Sequence, residues 1–284
     1  MLWRDGQILA GTEAPLDHAD RGLTLGDGLF DTALALNGRV AFEDAHVARL
    51  VASAEVLGIP ADAGAIRSAM RALAGRGERL ALRTTLTRGA GPRGLKPPED
   101  PRPTLFATAS PSGRAIAFAP LRLRPTAIAR NDTSPAARLK ALGYLDAVIA
   151  AGEAARDGFD EALFRNTKGL VACAGTGNLF CVADEGTLLT PPLTDGVLPG
   201  IVRAQVLALA PAHGLAVAER SLTPDDVRRA RAVFVTNSLR LLAPVTALGE
   251  TTYDSAGHAA FALLREALRA AVAESCGVTP EEVA

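Results

Sequence analysis

The sequence predicts a mixed α/β (α+β) protein of two domains, and three observations lead there. Its 284 residues are 48% hydrophobic and 21% charged, enough chain for two globular domains at roughly 100–200 residues each. Residues 31–42, DTALALNGRVAF, set an Asn-Gly pair between two β-prone runs, the strongest short-range signal for an antiparallel hairpin. From about residue 160 onward, short strand-like runs interleave with helix-like ones.

The elements follow in order. After the hairpin, FEDAHVARLVASAEVLGIP places Val47, Leu50, Val51, Ala54 and Leu57 at helical spacing, with acids in the first turn and Gly58 and Pro60 to stop it. A second helix is predicted over residues 63–75, and RLALRTTLTR, residues 79–88, alternates as a strand does. GAGPRGLKPPEDPRP is a loop by composition. TLFATAS and AIAFAPLRL read as two more strands, closing a first domain at residues 1–120. Residues 121–135 read as a polar linker, and residues 136–284 form the second domain. There Leu142, Leu145 and Ile149 predict a helix from Leu139 to near Gly158. A meander follows: EALFRN, a turn at TKG, LVACA, then LFCVA, a turn at DEG, and TLLTPP. Helices at about 200–212, 224–230 and 257–275 interleave with strands GLAVAE, RAVFVTNS and PVTAL. The cleft between the domains is the default ligand site.

Bulk properties exclude several function classes. A formal net charge of −1 with interspersed signs offers no basic face for nucleic acid or an anionic membrane. MLWRDGQILAG lacks the charged and apolar regions of a leader, and no run reaches the ~18 apolar residues of a membrane span, so a cytoplasmic protein is expected. Cys173, Cys181 and Cys276 lack CxxC spacing, and the four histidines form no HxxxH or HExxH pair, so no metal is expected. GAGPRG satisfies GxGxxG, but Pro92 interrupts it and LKPPEDP follows where a helix should open, so a dinucleotide site is rejected.

Candidate chemistry begins with Lys140 in ARLKALGYLD. The chain holds three lysines against 27 arginines, so a lysine marks a place where a guanidinium cannot serve. An amine can lose its proton and attack a carbonyl; arginine cannot. LPGIVR, residues 198–203, sets Pro-Gly before a helix and presents the backbone N–H groups of Ile201 and Val202, as a phosphate site does, although plain capping explains it too. His46, Arg49 and Ser53 share the helix face opposite the apolar stripe, where solvated positions are the first explanation. TNSL, residues 236–239, suits either an anion or a turn. The glycine-hinged loop carries Arg93 either toward a ligand or simply on the surface.

Each signal is weak alone, but their order is specific. DRGLTLGDGLFDT, FEDAHVARLVASAEVLGIP, LTRGAGPRGL, LKALGYLDAVIAAGEAARDGFDEALF, GNLF, TPPLTDGVLPGIVR and FVTNSLRLLAPV occur collinearly over residues 1 to about 250. Together they resemble the class IV aminotransferases, the fold-type IV enzymes that use pyridoxal phosphate and include D-amino-acid and branched-chain aminotransferases and 4-amino-4-deoxychorismate lyase. The resemblance implies a smaller N-terminal and a larger C-terminal α/β domain with the cofactor between them. It implies that Lys140 forms the Schiff base and shuttles the substrate α-proton. Arg49, the Ile201 and Val202 N–H groups and Ser238 would take the phosphate. Leu198 would pack on the pyridine ring, with Thr176 and Asn178 approaching the cofactor. Arg93 corresponds to a substrate-carboxylate arginine, and a homodimer is implied.

Three positions depart from the family pattern. GLVAC places Cys173 where relatives carry the glutamate that pairs with the ring nitrogen. Leu25 replaces an often aromatic residue, and Leu95 replaces the histidine of D-amino-acid transaminases, which implies a more apolar substrate pocket. An aminotransferase acting on an amino acid or related amine is therefore expected. The lyase, which eliminates pyruvate, is the alternative within the family, and a pyridoxal-phosphate-binding protein with little turnover is the alternative from another class.

Overall fold

The structure, a computed structural model, describes residues 1–284. It divides into two compact units, Met1–Arg114 with Leu139–Gly143 and Val272–Val283, and Ala115–Arg138 with Tyr144–Ala271 and Ala284.

Unit 1 contains β1 (Leu2–Arg4), β2 (Gln7–Leu9), α1 (Arg21–Leu25), β3 (Gly28–Leu36), β4 (Arg39–Val40), α2 (Glu43–Leu57), α3 (Ala63–Ala74), β5 (Arg79–Thr87) and β6 (Thr104–Pro111). The strands form one antiparallel sheet in the order β2-β1-β6-β5-β3-β4. The expected hairpin is β3–β4. Asn37 and Gly38 both have positive φ, 45° and 85°, as a two-residue turn matched to strand twist requires. Leu29, Ala33 and Ala35 of β3 join Val47, Leu50 and Ala54 of α2 and Ile66, Met70 and Leu73 of α3 in one core. Each of the Val, Leu, Ile and Met side chains among them contributes about 1.5–3 kcal/mol by leaving water. Asp62 caps α3 through the Gly64 and Ala65 N–H groups.

Unit 2 contains β7 (Leu121–Arg130), α4 (Leu145–Arg156), β8 (Glu161–Asn166), β9 (Val171–Ala174), β10 (Asn178–Val182), β11 (Leu188–Thr190), α5 (Ile201–Ala212), β12 (Val217–Glu219), α6 (Pro224–Arg228), β13 (Ala232–Asn237), β14 (Leu241–Leu248) and β15 (Thr251–Thr252). Helix α7 (Ala259–Cys276) begins here, whereas its last residues and α8 (Pro280–Val283) belong to unit 1. The strand order is β12-β11-β10-β13-β14-β7-β8-β9, and β9 also pairs with β10. Six strands therefore close into a ring around Leu121, Leu123, Leu163, Leu179, Val233, Val235 and Val245.

Three expectations change. The linker of residues 121–135 is mostly β7: Leu121 and Leu123 are buried between exposed or half-exposed neighbours, and parallel β14 and β8 satisfy the backbone on both sides. The polar run TAIARNDTSPAAR, residues 126–138, made the end of this strand look like part of a loop. The strand expected over AIAFAPLRL therefore begins only at Leu121; before it lies a short 3₁₀ turn at Arg114–Ile116. The helix expected from Leu139 begins at Leu145. Residues 139–143 run along β3 instead, Phe30 N donating to Lys140 O (2.9 Å) and Leu142 N to Gly28 O (3.1 Å). Lys140 is thus an element of unit 1. Helix α4 buries Ala147, Ala150 and Ala154, while Leu145, Val148 and Ile149 are 75%, 63% and 52% exposed. The apolar spacing in this segment does not mark its core face.

Candidate functional site

In unit 1 the candidate residues are organised by β3, whose consecutive residues point to opposite faces of the sheet. Asp31 lies in the same alternating row as Leu29 and Ala33, facing α2. Its Oδ1 meets His46 Nδ1 at 2.5 Å, and its Oδ2 accepts from Arg49 Nε at 2.9 Å and Nη2 at 2.6 Å. Asp31 and His46 are each 1% exposed, and Ser53 is also buried. The solvated reading of this helix face is therefore overturned. The polar stripe of α2 packs inward because one carboxylate stands opposite it in an otherwise apolar row. Burial pushes the Asp31 carboxyl up, but His46 and Arg49 outweigh that and hold it below the usual carboxylate range. A buried charge is tolerated when paired and hydrogen-bonded in this way.

Phe30, the preceding residue, faces the other side. Lys140 Nζ lies 4.2 Å from its ring centroid, and the Arg83 guanidinium carbon lies 3.6 Å from the same centroid. A ring face attracts cations, so Phe30 locates an amine and a permanently charged guanidinium together. The backbone bond from Phe30 N fixes the lysine segment at the same residue.

The glycine-rich loop is held from beneath. Arg21, 3% exposed, donates to Gly94 O (2.9 Å), Leu95 O (3.0 Å) and Asp27 Oδ2 (2.8 Å). Arg88 donates to the same Asp27 oxygen (2.7 Å) and to Leu57 O and Gly58 O. Burial raises the Asp27 carboxyl, and the two guanidiniums more than offset it. Gly89 has φ +85°, and a Cβ there would overlap the Arg102 carbonyl. The loop consequently presents Arg93 and Leu95 outward, Leu95 being 83% exposed, while Leu25 is exposed at the end of α1.

In unit 2 the turn between β9 and β10 and the start of α5 form a second group. Asn178 Nδ2 donates to Leu198 O at 2.9 Å. A Cβ on Gly200 would overlap Asn178 Oδ1, so only glycine lets the helix start this close to β10. Gly200 is the N-cap of α5 with no side-chain cap bond, and no acid occupies the first turn. The N–H groups of Ile201 and Val202 thus stand at an uncapped positive helix end, an arrangement suited to an anion. Asn237 Oδ1 accepts from Leu239 N (3.0 Å) and Arg240 N (2.8 Å), which shapes the turn carrying Ser238. Thr176 N donates to the Glu161 carboxylate, whose pKa burial pushes up.

Cys173 lies directly opposite Asn178 across β9 and β10 and opposite Phe164 across β8 and β9. Burial pushes its thiol up, and its charged neighbours are the Arg130 guanidinium, which is also its hydrogen-bond partner, and Glu161. The Arg130 guanidinium carbon lies 4.4 Å from the Phe164 centroid.

Sequence reasoning missed Asp31, His46's inward role, Arg83 and Arg130. A signal existed for Asp31, an acid at an inward position of an apolar strand. None existed for Arg83 or Arg130, which sit among many arginines.

Residues 28–248 match the family described as amino-transferase class IV. A Methanocaldococcus jannaschii protein with the provisional name branched-chain-amino-acid aminotransferase is 32% identical over 251 residues, 86% of each chain. The D-alanine aminotransferase of Bacillus licheniformis is 28% identical over 265 residues, 88% of this chain and 89% of that one. The crystal structure of 4-amino-4-deoxychorismate lyase from Pseudomonas aeruginosa superposes with a TM-score of 0.82 at 30% identity, covering 95% of this chain and 98% of that one. The chain is therefore an enzyme of fold type IV and belongs to the class IV aminotransferases.

Proposed function

We propose that this enzyme is a pyridoxal-phosphate-dependent aminotransferase that moves an amino group from an amino acid or related amine to a keto acid, with Lys140 as its covalent anchor. The observation that carries the reading is Lys140 Nζ 4.2 Å from the Phe30 centroid, on a segment bonded to β3, with Arg83 at the same ring. The residues fit the cofactor. Lys140 supplies the amine. The uncapped α5 terminus, kept open by Gly200, suits a phosphate dianion. When bound, the cofactor supplies an electron sink for the carbanion at the substrate α-carbon.

The chain's own residues have the following roles. Lys140 accepts the α-proton and returns it as general base and acid. Arg49, locked by Asp31, joins the Ile201 and Val202 N–H groups and Ser238 in holding phosphate. Leu198 packs on the ring, and Thr176 and Asn178 bound the same group. Arg83 and Arg93 are the cations for a substrate carboxylate, and exposed Leu25 and Leu95 supply apolar contact. A homodimer is part of the reading: Leu145, Val148 and Ile149 form an outward apolar stripe at i, i+3 and i+4 on α4, which a second copy would cover. No helix is long and apolar enough to cross a membrane, and a cytoplasmic location is proposed.

The test is borohydride reduction of the protein with pyridoxal phosphate, followed by peptide mass mapping. A fixed adduct on Lys140, absent in Lys140→Ala, is expected together with turnover of amino-acid donors; absence of the adduct refutes the reading. The likeness to the P. aeruginosa lyase supports a second reading, pyruvate elimination from aminodeoxychorismate, which is assayed directly as pyruvate release without a keto-acid acceptor.

A further inference from the structure

We propose that Arg130 and Cys173 together keep the pyridine nitrogen of the bound cofactor unprotonated, so that this enzyme works with a weaker electron sink than a carboxylate at position 173 would provide. The inference rests on the proposed function and on the resemblance that sets Cys173 where relatives carry the glutamate paired with the ring nitrogen.

Strand geometry places the two residues on one face. Phe164 and Cys173 are register partners across β8 and β9, and Arg130 and Asn166 are partners across β7 and β8. Residues 164 and 166 share a side of β8, so Arg130, Phe164 and Cys173 line the same surface. The guanidinium lies 4.4 Å from the Phe164 centroid, and Arg130 Nε is buried without a hydrogen-bond partner.

The charges packed around this surface do not restore an acid. Glu161 stems from the opposite row of β8, with Leu163; its carboxylate is a charged neighbour of Cys173, but it accepts from Thr176 N and burial pushes it up, toward the neutral form. Asp132 is taken by Thr167 Oγ1 (2.6 Å) and Lys168 Nζ (3.3 Å). The Asp195 Oδ2 atom is buried and bonded to nothing, so it makes no pair with Arg130. The Cys173 thiol, pushed up by burial, is neutral at pH 7 and cannot act as the missing anion. A protonated ring nitrogen here would therefore meet a neutral thiol with a cation behind it. A nearby like charge and desolvation both disfavour protonation, whereas an opposite charge at ~4–6 Å favours it.

The experiment uses the full protein loaded with pyridoxal phosphate labelled with nitrogen-15 in the ring, read by NMR at pH 7 after borohydride mapping has located the adduct. The expected wild-type signal lies in the unprotonated pyridine range. Cys173→Glu should move it to the pyridinium range and raise single-turnover α-proton abstraction about tenfold or more, the equivalent of a one-unit shift in the governing equilibrium. Arg130→Gln should move it part of the way, which keeps the test usable if Cys173→Glu fails to fold. A pyridinium signal in the wild type with a normal Lys140 adduct overturns this proposal and leaves the proposed function standing; no adduct on Lys140 overturns both.

Discussion

The buried Asp31 carboxylate supports a prediction whose size can be worked from its contacts. It accepts two bonds from Arg49, at 2.9 and 2.6 Å, and meets His46 at 2.5 Å. Replacing it with asparagine keeps the shape but removes the charge that faces the Arg49 guanidinium, 10% exposed. Breaking a buried pair by removing one partner costs about 3–5 kcal/mol. Asp31→Asn should therefore lower the free energy of unfolding in urea by that amount with an unchanged slope. Arg49 then also loses the grip that aims it, and the loss of a charge-assisted bond worth about 1.5–3 kcal/mol predicts ~10- to 150-fold weaker pyridoxal phosphate binding. Arg49→Met combined with Asp31→Asn should destabilise less than the two singles added, by about 1 kcal/mol or more of coupling. Acidification supplies a second readout. Burial raises the Asp31 carboxyl, His46 and Arg49 lower it further than that, and the folded value lies below the ordinary one. Such a group contributes stability present above its unfolded value of about 3.9 and lost as pH falls through the folded value. Asp31→Asn should accordingly show a shallower acid-induced loss than the wild type. Equal urea midpoints and additive double-mutant energies would refute the claim that Asp31 anchors Arg49.

Other outcomes follow from single contacts. Gly200→Ala sets a Cβ onto Asn178 Oδ1, so it should destabilise the fold by about 1–3 kcal/mol, the range for overpacking, and weaken pyridoxal phosphate binding, both seen in one titration series; wild-type affinity would contradict the close approach. Arg21→Ala removes the donor to the Gly94 and Leu95 carbonyls and should speed trypsin cleavage at the Arg93–Gly94 bond, with protection unchanged if the loop is held otherwise. Ile149→Asp puts a charge in the outward apolar stripe of α4 and should shift the sedimentation coefficient toward the monomer; an unaltered dimer would place the interface elsewhere.

Local and periodic information was sufficient for much of this protein. The Asn37-Gly38 hairpin, the helices at Glu43–Leu57 and Ala63–Ala74, the β8–β11 meander and the Gly200-led start of α5 were legible because each depends on spacing or on backbone chemistry within a few residues. Lys140 stood out as a candidate for a compositional reason: amine chemistry is scarce in an arginine-rich chain. The failures share one cause, that a residue's face is decided by what packs against it. The polar run of residues 126–138 made the end of β7 look like a linker until β8 provided its ladder. Leu145 and Ile149 looked like a core stripe, yet the alanines of α4 turn inward because they allow closer approach. His46 and Ser53 looked solvated until β3 set Asp31 opposite Arg49. Arg83 and Arg130 acquired meaning only from the rings of Phe30 and Phe164 beside them. The sequence by itself determined the class of enzyme and singled out the residue proposed to anchor its chemistry; tertiary structure alone decided the charge around the candidate residues, because pairing and burial depend on partners that lie far away along the chain.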